Sequence, residues 1–508
     1  MASNRVLSRW TRSFTLCLPL ISASCNDAAR SRDLKAQHAL LEAQAAAQDA
    51  QVHAGPTAET LTLRPEWVQA IDRITQESLA RGLTFERLTE LCTRAPHRLA
   101  GSDDAARAVE WARDTMLADG FENVHIEACR IPHWVRGDIE ELTALEPREL
   151  AGQTLPVVAL GGSIATAPDG VEGEVIVVES FDELEQIGIA GARDKIVLFN
   201  RPMDDASLDT FSAYGGAVNQ RSGGASAAAK VGAVAALVRS MTTLRDDVPH
   251  TGTMSYSDEV GKIPTAAIST NAADRLAAMI KSGKQVKLRL RLDCRSLGEA
   301  DSGNVVGELR GRELPDEIVL VSGHLDGWDV GQGAHDDGAG SCHALETLRL
   351  LKVLDLVPRR TVRLVLYMNE ENGTAGARAY AKDHEGELAL HVAAFESDRG
   401  GFTPRGFSAD VEDSALLELR GLARYLEPLG AAGLRAGSAG ADISFLKSGG
   451  VPLIGLLPDS QRYFDYHHSA NDTLEAVNRR ELHLGSAALA SMVYLVAERA
   501  MPLSRKSR

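Results

Sequence analysis

From Asn304 onward, apolar runs alternate with amphipathic helical stretches, and this pattern constrains the fold more than anything else in the chain. Glu317–Val321, Thr361–Met368, Leu388–Phe395 and Val451–Leu457 are short β-rich runs, three of them almost continuously apolar. A strand that is apolar on both faces needs cover on both faces, which a mostly parallel sheet between helices provides. The intervening helices read clearly. Leu345, Leu348, Leu351 and Leu354 fall on one face of a helix expected over Ala344–Leu356. The fold class is therefore α/β, a mostly parallel sheet flanked by helices. No repeat of fixed period points to a solenoid.

Each of these strands ends in residues that a buried strand does not need. The first runs into His324-Leu-Asp326 and then Asp336-Asp337-Gly, the second into Asn369-Glu370-Glu371, and the third into Glu396-Ser-Asp398. The fourth leads to Asp465-Tyr-His467-His468 and on to Asp472-Thr473. Ligands of open α/β sheets bind beyond the carboxyl ends of the strands, so four such ends point into one cleft. Singly, each group has an ordinary explanation, such as a surface histidine, a solvated acidic pair or a tight turn. Together they would require four coincidences in a row.

Imidazoles and carboxylates in one cleft suit zinc. Three ligating carboxylates against two dications leave one positive charge for a hydroxide, which favours two ions over one. Without metal, the same carboxylates would crowd one another and resist ionisation. A shared carboxylate can hold two ions about 3.5–4 Å apart, the spacing of two-metal hydrolases.

The remaining sequence supplies context. Lys and Arg number 54 against 70 Asp and Glu, a formal charge of −16, which repels a phosphate backbone and excludes nucleic acid as the expected partner. Six cysteines in 508 residues, none in a Cys-x-x-Cys pair, are too few for a disulfide scaffold. Arg5, Arg9 and Arg12 precede the apolar run Phe14–Ile21 and the small residues Ser22-Ala-Ser24, the pattern of a secretory signal peptide over residues 1–25. Cys25, directly after, resembles a lipoprotein attachment site, and the only membrane contact expected is through a lipid there. The expected location is thus outside the cytoplasm: periplasmic, extracellular or lipid-anchored. Residues 26–60, rich in Ala, Gln and charge, read as a flexible tether. A helical pattern begins near Pro65 and gives way to a strand at Val124–Ala128. Between residues 136 and 296 the texture becomes short β-like runs, at Gly173–Val178, Lys195–Phe199 and Ile263–Ile268, around an Ala-rich segment, Ala225–Val238, expected to be helical. No Gly-x-Ser-x-Gly elbow marks a serine nucleophile.

The order His-x-Asp, Asp-Asp-Gly-x-Gly, Glu-Glu, Glu-Ser-Asp and His-x-x-x-Asp-Thr resembles the co-catalytic di-zinc aminopeptidase family. Val321–Ala334, Lys230–Ser240 and Pro249–Gly252 are similar to one branch of it, from which Gly327 and His335 depart. The likeness spans about residues 65 to 500. It implies a peptidase domain in two parts, 61–135 and 297–503, with a protease-associated domain inserted at 136–296. It also implies two zinc ions per chain, one held by His324 and Asp398, the other by Glu371 and His468, with Asp336 bridging. Glu370 falls at the general base and Asp326 at the carboxylate that fixes the His324 tautomer. A cis peptide is implied between Asp336 and Asp337. The implied substrates are short peptides or dipeptides with free termini, and the implied assembly is a homodimer. Two alternatives stay open: a single-zinc acyltransferase of the glutaminyl cyclase type, and a non-catalytic receptor-type binding module.

Overall fold

The computed structural model describes residues 63–505. The signal peptide, the lipid site at Cys25 and the tether all lie outside these residues. That helix, Pro65–Arg81, opens on a proline, whose fixed φ suits the first turn. Thr84–Arg94 and Asp103–Ala118 follow, the latter capped by Ser102, whose hydroxyl accepts from the Ala105 N–H at 3.0 Å. Gly120, at φ +69°, turns the chain into a long strand, Glu122–Val135.

Two eight-stranded sheets organise the rest. The first runs Glu122–Val135, Arg295–Leu309, Arg360–Tyr367, Leu314–His324, His391–Glu396, Leu453–Pro458, Pro404–Asp410 and Gly433–Ala436 in spatial order. Its centre is the four runs read from the sequence, adjacent and mutually parallel. The margins are mixed, with antiparallel pairing at Glu122–Val135 with Arg295–Leu309 and at Pro404–Asp410 with Leu453–Pro458. Helices Ala339–Val353 and Arg479–Glu498 pack against each other beside this sheet. Leu345, Leu348 and Leu351 are fully buried there, as the helical spacing requires. Val319, Leu320, Val321, Leu364 and Val365 show no exposed surface, which explains why their strands carry no alternation.

The second sheet is built wholly from residues between Glu140 and Leu292, with Val171–Val178, Ile196–Phe199, Ala235–Arg239 and Thr265–Ile268 parallel at its centre. The chain leaves the first sheet along Glu122–Val135 and returns along Arg295–Leu309, and those two strands pair antiparallel, with Val135 facing Arg295. The Ala-rich segment corrects the sequence reading. Its helix is Asn219–Lys230 and ends before Gly232, at φ +81°, after which Ala235–Arg239 is a buried central strand. Alanine serves either element, so composition alone did not mark the break.

Cys92, Cys129, Cys294 and Cys342 are all buried free thiols. Among the described residues no helix is long and apolar enough to cross a membrane.

Candidate metal centre

The carboxyl ends of the central strands meet at Asp336. His324 is the last residue of its strand, Glu370 and Glu371 follow Tyr367 by three and four positions, and Asp398 lies two beyond Glu396. Asp336 Oδ1 stands 3.4 Å from His324 Nε2, which in turn lies 3.5 Å from Asp398 Oδ1. Asp336 Oδ2 stands 3.3 Å from His468 Nε2, which lies 3.0 Å from Glu371 Oε2. One carboxylate thus faces two separate imidazole–carboxylate pairs, one with each oxygen. His467 Nε2 is 3.7 Å from the same Asp336 Oδ2, and its ring stacks on His468 with centroids 3.5 Å apart. The Asp336–Asp337 peptide bond is cis.

The loop that carries Asp336 is held from several directions. Asp472 accepts from the main-chain N–H groups of His335 at 2.7 Å and Asp336 at 3.0 Å. Asp337 accepts from the N–H of His324 at 3.0 Å and of Gly340 at 3.1 Å, tying the strand end to the following helix. Arg98, with no exposed surface, donates to the carbonyls of Leu325, Gln332 and Gly333. Nothing in the local sequence marks Arg98. It comes from more than 200 residues away, and only its burial reveals the role.

Asp326 does more than the sequence reading gave it. His324 Nδ1 lies 3.1 Å from the Asp326 main-chain carbonyl and 3.7 Å from its carboxylate. A carbonyl can only accept, so Nδ1 carries the proton and the Nε2 lone pair faces Asp336 and Asp398. The Asp326 carboxylate also accepts three main-chain N–H groups, those of Asn369 at 2.7 Å, Glu370 at 3.0 Å and Glu371 at 3.3 Å. It fixes the turn that presents the two glutamates.

The donor set fits cations. His324 Nε2, Asp336 Oδ2 and Glu371 Oε1 are buried without a hydrogen-bond partner. Buried polar atoms left bare are costly, and bare lone pairs converging on one place call for positive charge between them. His324, Asp336 and Asp398 form one group with ligand-to-ligand distances suited to a metal ion; Asp336, His467 and His468 form another. Protons answer the same charge: despite burial, Glu371 and Asp336 push His468 up to about 9. Against burial, contacts with His324 and His468 hold Asp336 well below the usual carboxylate range. Burial pushes Glu371 up, with Asp336 adding to it. Glu370 is pushed well above its ordinary value by burial and then by Asp398, Asp442 and Glu371, against the pull of His324.

Asp336, Glu370, Glu371, Asp398, His467 and His468 line a cavity of about 230 Å³ that also takes in Tyr214, Arg221 and Tyr463. The wall carrying Tyr214 and Arg221 comes from the second-sheet layer. That layer also grips the histidine loop: His250 Nδ1 donates to the His467 carbonyl at 2.7 Å, and the Thr251 N–H to the His468 carbonyl at 2.8 Å. Sequence reading missed this wall, because no motif surrounds Arg221.

Fold and site together define a metal-dependent hydrolase. The profile of peptidase family M28 matches residues 304–493. Carboxypeptidase Q of Bos taurus is 39% identical over 430 residues, 85% of this chain and 88% of that protein, and the Homo sapiens protein is 38% identical over the same shares. The crystal structure of a peptidase M28 precursor from Shewanella amazonensis superposes with a TM-score of 0.83 at 36% identity, covering 87% of this chain and 99% of that one. An aminopeptidase from Aneurinibacillus sp. strain AM-1, at 19% identity and a TM-score of 0.59, shares the fold over 86% of this chain and 98% of its own. The chain belongs to peptidase family M28.

Proposed function

We propose that the protein is an exported zinc exopeptidase of the carboxypeptidase Q kind, holding two zinc ions and cleaving short peptides or dipeptides with free termini. The observation that carries this reading is Asp336, with one oxygen toward His324 and Asp398 and the other toward His468 and Glu371. His324 and Asp398 would hold one ion, Glu371 and His468 the other, with Asp336 shared. When bound, such a pair supplies a water acidic enough to ionise near neutral pH and an electrophile for the scissile carbonyl.

The chain's own groups do the rest. Glu370, held in the cavity by the Asp326-bound turn, takes the proton of the attacking water and returns it to the departing amine. Its raised affinity for a proton suits a group that must hold one between the two events. Adjacent Glu370 and Glu371 divide the work between proton transfer and metal holding. Residues 136–296 are read as a protease-associated domain that walls the cleft, and the N-terminal Arg-rich apolar segment as the export signal, with Cys25 as an anchor. Relatives at 36–39% identity are named as peptidases, which favours peptide hydrolysis over acyl transfer by a single zinc.

Metal analysis and one substitution test this. Two zinc ions per chain are expected, with activity removed by chelator and restored by zinc. Glu370→Gln should keep both ions and lose about 10²- to 10⁴-fold in kcat. One ion per chain would return the acyltransferase alternative, and a protein with no chelator-sensitive hydrolysis would return the binding module.

A further inference from the structure

At the margin of the first sheet the strand directions build a second cavity beside the metal centre. Pro404–Asp410 runs antiparallel to Leu453–Pro458, with Pro404 opposite Pro458 and Gly406 opposite Leu457, and Gly406 also faces Gly433 of the edge strand. The two marginal strands therefore begin where the central strands end. Arg399, Arg405, Arg435, Leu457 and Pro458 line a cavity there of about 330 Å³, bordered by Leu208 and Asp209 from the second-sheet layer. That volume falls within the roughly 300–1,000 Å³ of ligand sites.

Three arginines around one cavity stand out in a chain whose formal charge is −16. Two of them are answered: Arg405 Nη2 lies 2.9 Å from Asp459 Oδ2, and Arg435 Nη1 lies 2.9 Å from Asp209 Oδ2. Arg399 is not. Among the described residues it makes no ion pair and no hydrogen bond, and its half-buried guanidinium lies 4.3 Å over the Phe211 ring. A guanidinium stacked on a ring uses its flat face and leaves the N–H groups at its edge for a fork-shaped contact. The cavity thus has one cation to spare, next to the apolar wall of Leu457 and Pro458.

Position gives that cation a use. Asp398 lines the metal cavity and Arg399 lines this one, and as consecutive residues their Cα atoms are about 3.8 Å apart. Phe211, beneath the guanidinium, lines the metal cavity as well. We propose that this second cavity receives the acidic side chain of a residue flanking the scissile bond, with Arg399 as its charge partner. A carboxylate can accept two parallel N–H bonds from a guanidinium, whereas the amide of glutamine offers one oxygen and sets its own N–H groups against the fork. This inference rests on the peptidase reading and names the class of side chain that the site prefers.

The test uses the zinc-loaded full chain and two matched pairs of dipeptides, Glu-Ala with Gln-Ala and Ala-Glu with Ala-Gln, with hydrolysis read as released alanine. Within each pair the termini are identical and only the side-chain charge differs, so any contact with a terminus cancels. In one pair or both, the acid should be preferred by about 10-fold or more in kcat/KM. Arg399→Met should bring that ratio to about one by slowing the acid, and Arg399→Lys should restore part of it. Both variants should melt close to the wild type, since neither loses a hydrogen bond. No preference in either pair would overturn the proposal, as would a preference that survives Arg399→Met. Equal losses on acid and amide in Arg399→Met would overturn it too, by making the arginine a support for the Phe211 ring. If the wild type hydrolyses none of the four, calorimetry with the same dipeptides separates the two claims. Tighter binding of an acid than of its amide, abolished in Arg399→Met, would fell the peptidase reading and uphold the acidic site; equal binding would end both.

Discussion

Replacing Asp326 by asparagine separates two accounts of the same carboxylate. The family likeness assigns it to the His324 tautomer, whereas the structure gives that task to its main-chain carbonyl, at 3.1 Å from Nδ1, which asparagine retains. Oδ1 accepts from Asn369 and Glu370 at 2.7 and 3.0 Å, and Oδ2 from Glu371 at 3.3 Å. An asparagine keeps one acceptor oxygen. Placed at Oδ1, it sets its amide N–H against the N–H of Glu371, donor against donor. One buried N–H left unpaired costs about 1–3 kcal/mol. That corresponds to roughly 5- to 150-fold in an equilibrium, and the loss falls on the residue that would hold the second zinc. Competition titration against a chromophoric chelator should show one zinc weakened by that factor and the other little changed. In a Glu371→Ala background, where the second site is already lost, Asp326→Asn should then add almost nothing. If it weakens the surviving His324 site as much there as it weakens metal in the wild type, the carboxylate acts on His324 and the reasoning is wrong.

His391 sets an acid limit on stability. Burial pushes it down to about 4, its Nδ1 donates to the Glu387 carbonyl and its Nε2 lies 2.9 Å from the Tyr380 hydroxyl. The unfolded chain binds a proton there near pH 6.5 while the folded chain does not, so folding loses on the order of 3 kcal/mol as pH falls from 6.5 to 4. Urea midpoints of His391→Gln across that range should be flatter than those of the wild type; an unchanged slope counts against the assignment. Arg98→Met strips two buried carbonyls and one half-buried carbonyl of their donor and should cost about 2–5 kcal/mol by denaturation of the metal-free protein. A loss below 1 kcal/mol would mean the metal loop does not depend on it.

The parts of this site visible in the sequence were those that lie beside long apolar runs. His324, Glu370, Glu371 and Asp398 follow strands whose fully buried centres made them conspicuous, and adjacency in the sheet brought them together. Pro404–Asp410 and Gly433–Ala436 escaped notice because they are short, interrupted by glycine and placed at the margin of the sheet. Arg98 and Arg221 were invisible for another reason. An arginine among ordinary neighbours reads as a solvated charge, and only three-dimensional burial shows it to be a brace or part of a cavity wall. Asp326 was found without its hold on the Glu370–Glu371 turn, since spacing cannot tell that its own carbonyl also meets the imidazole two residues away.

The strands that leave for the second sheet and return from it run side by side, with Val135 opposite Arg295. A tight hairpin could therefore splice them and delete everything between. Such a miniature would retain each side chain proposed to grip metal, together with Glu370. It would forfeit the clasp on the histidine loop and the cavity wall that carries Tyr214 and Arg221. The metal cluster and one wall of its cleft thus reside on separable stretches of one chain, and selection can retune the second without touching the first.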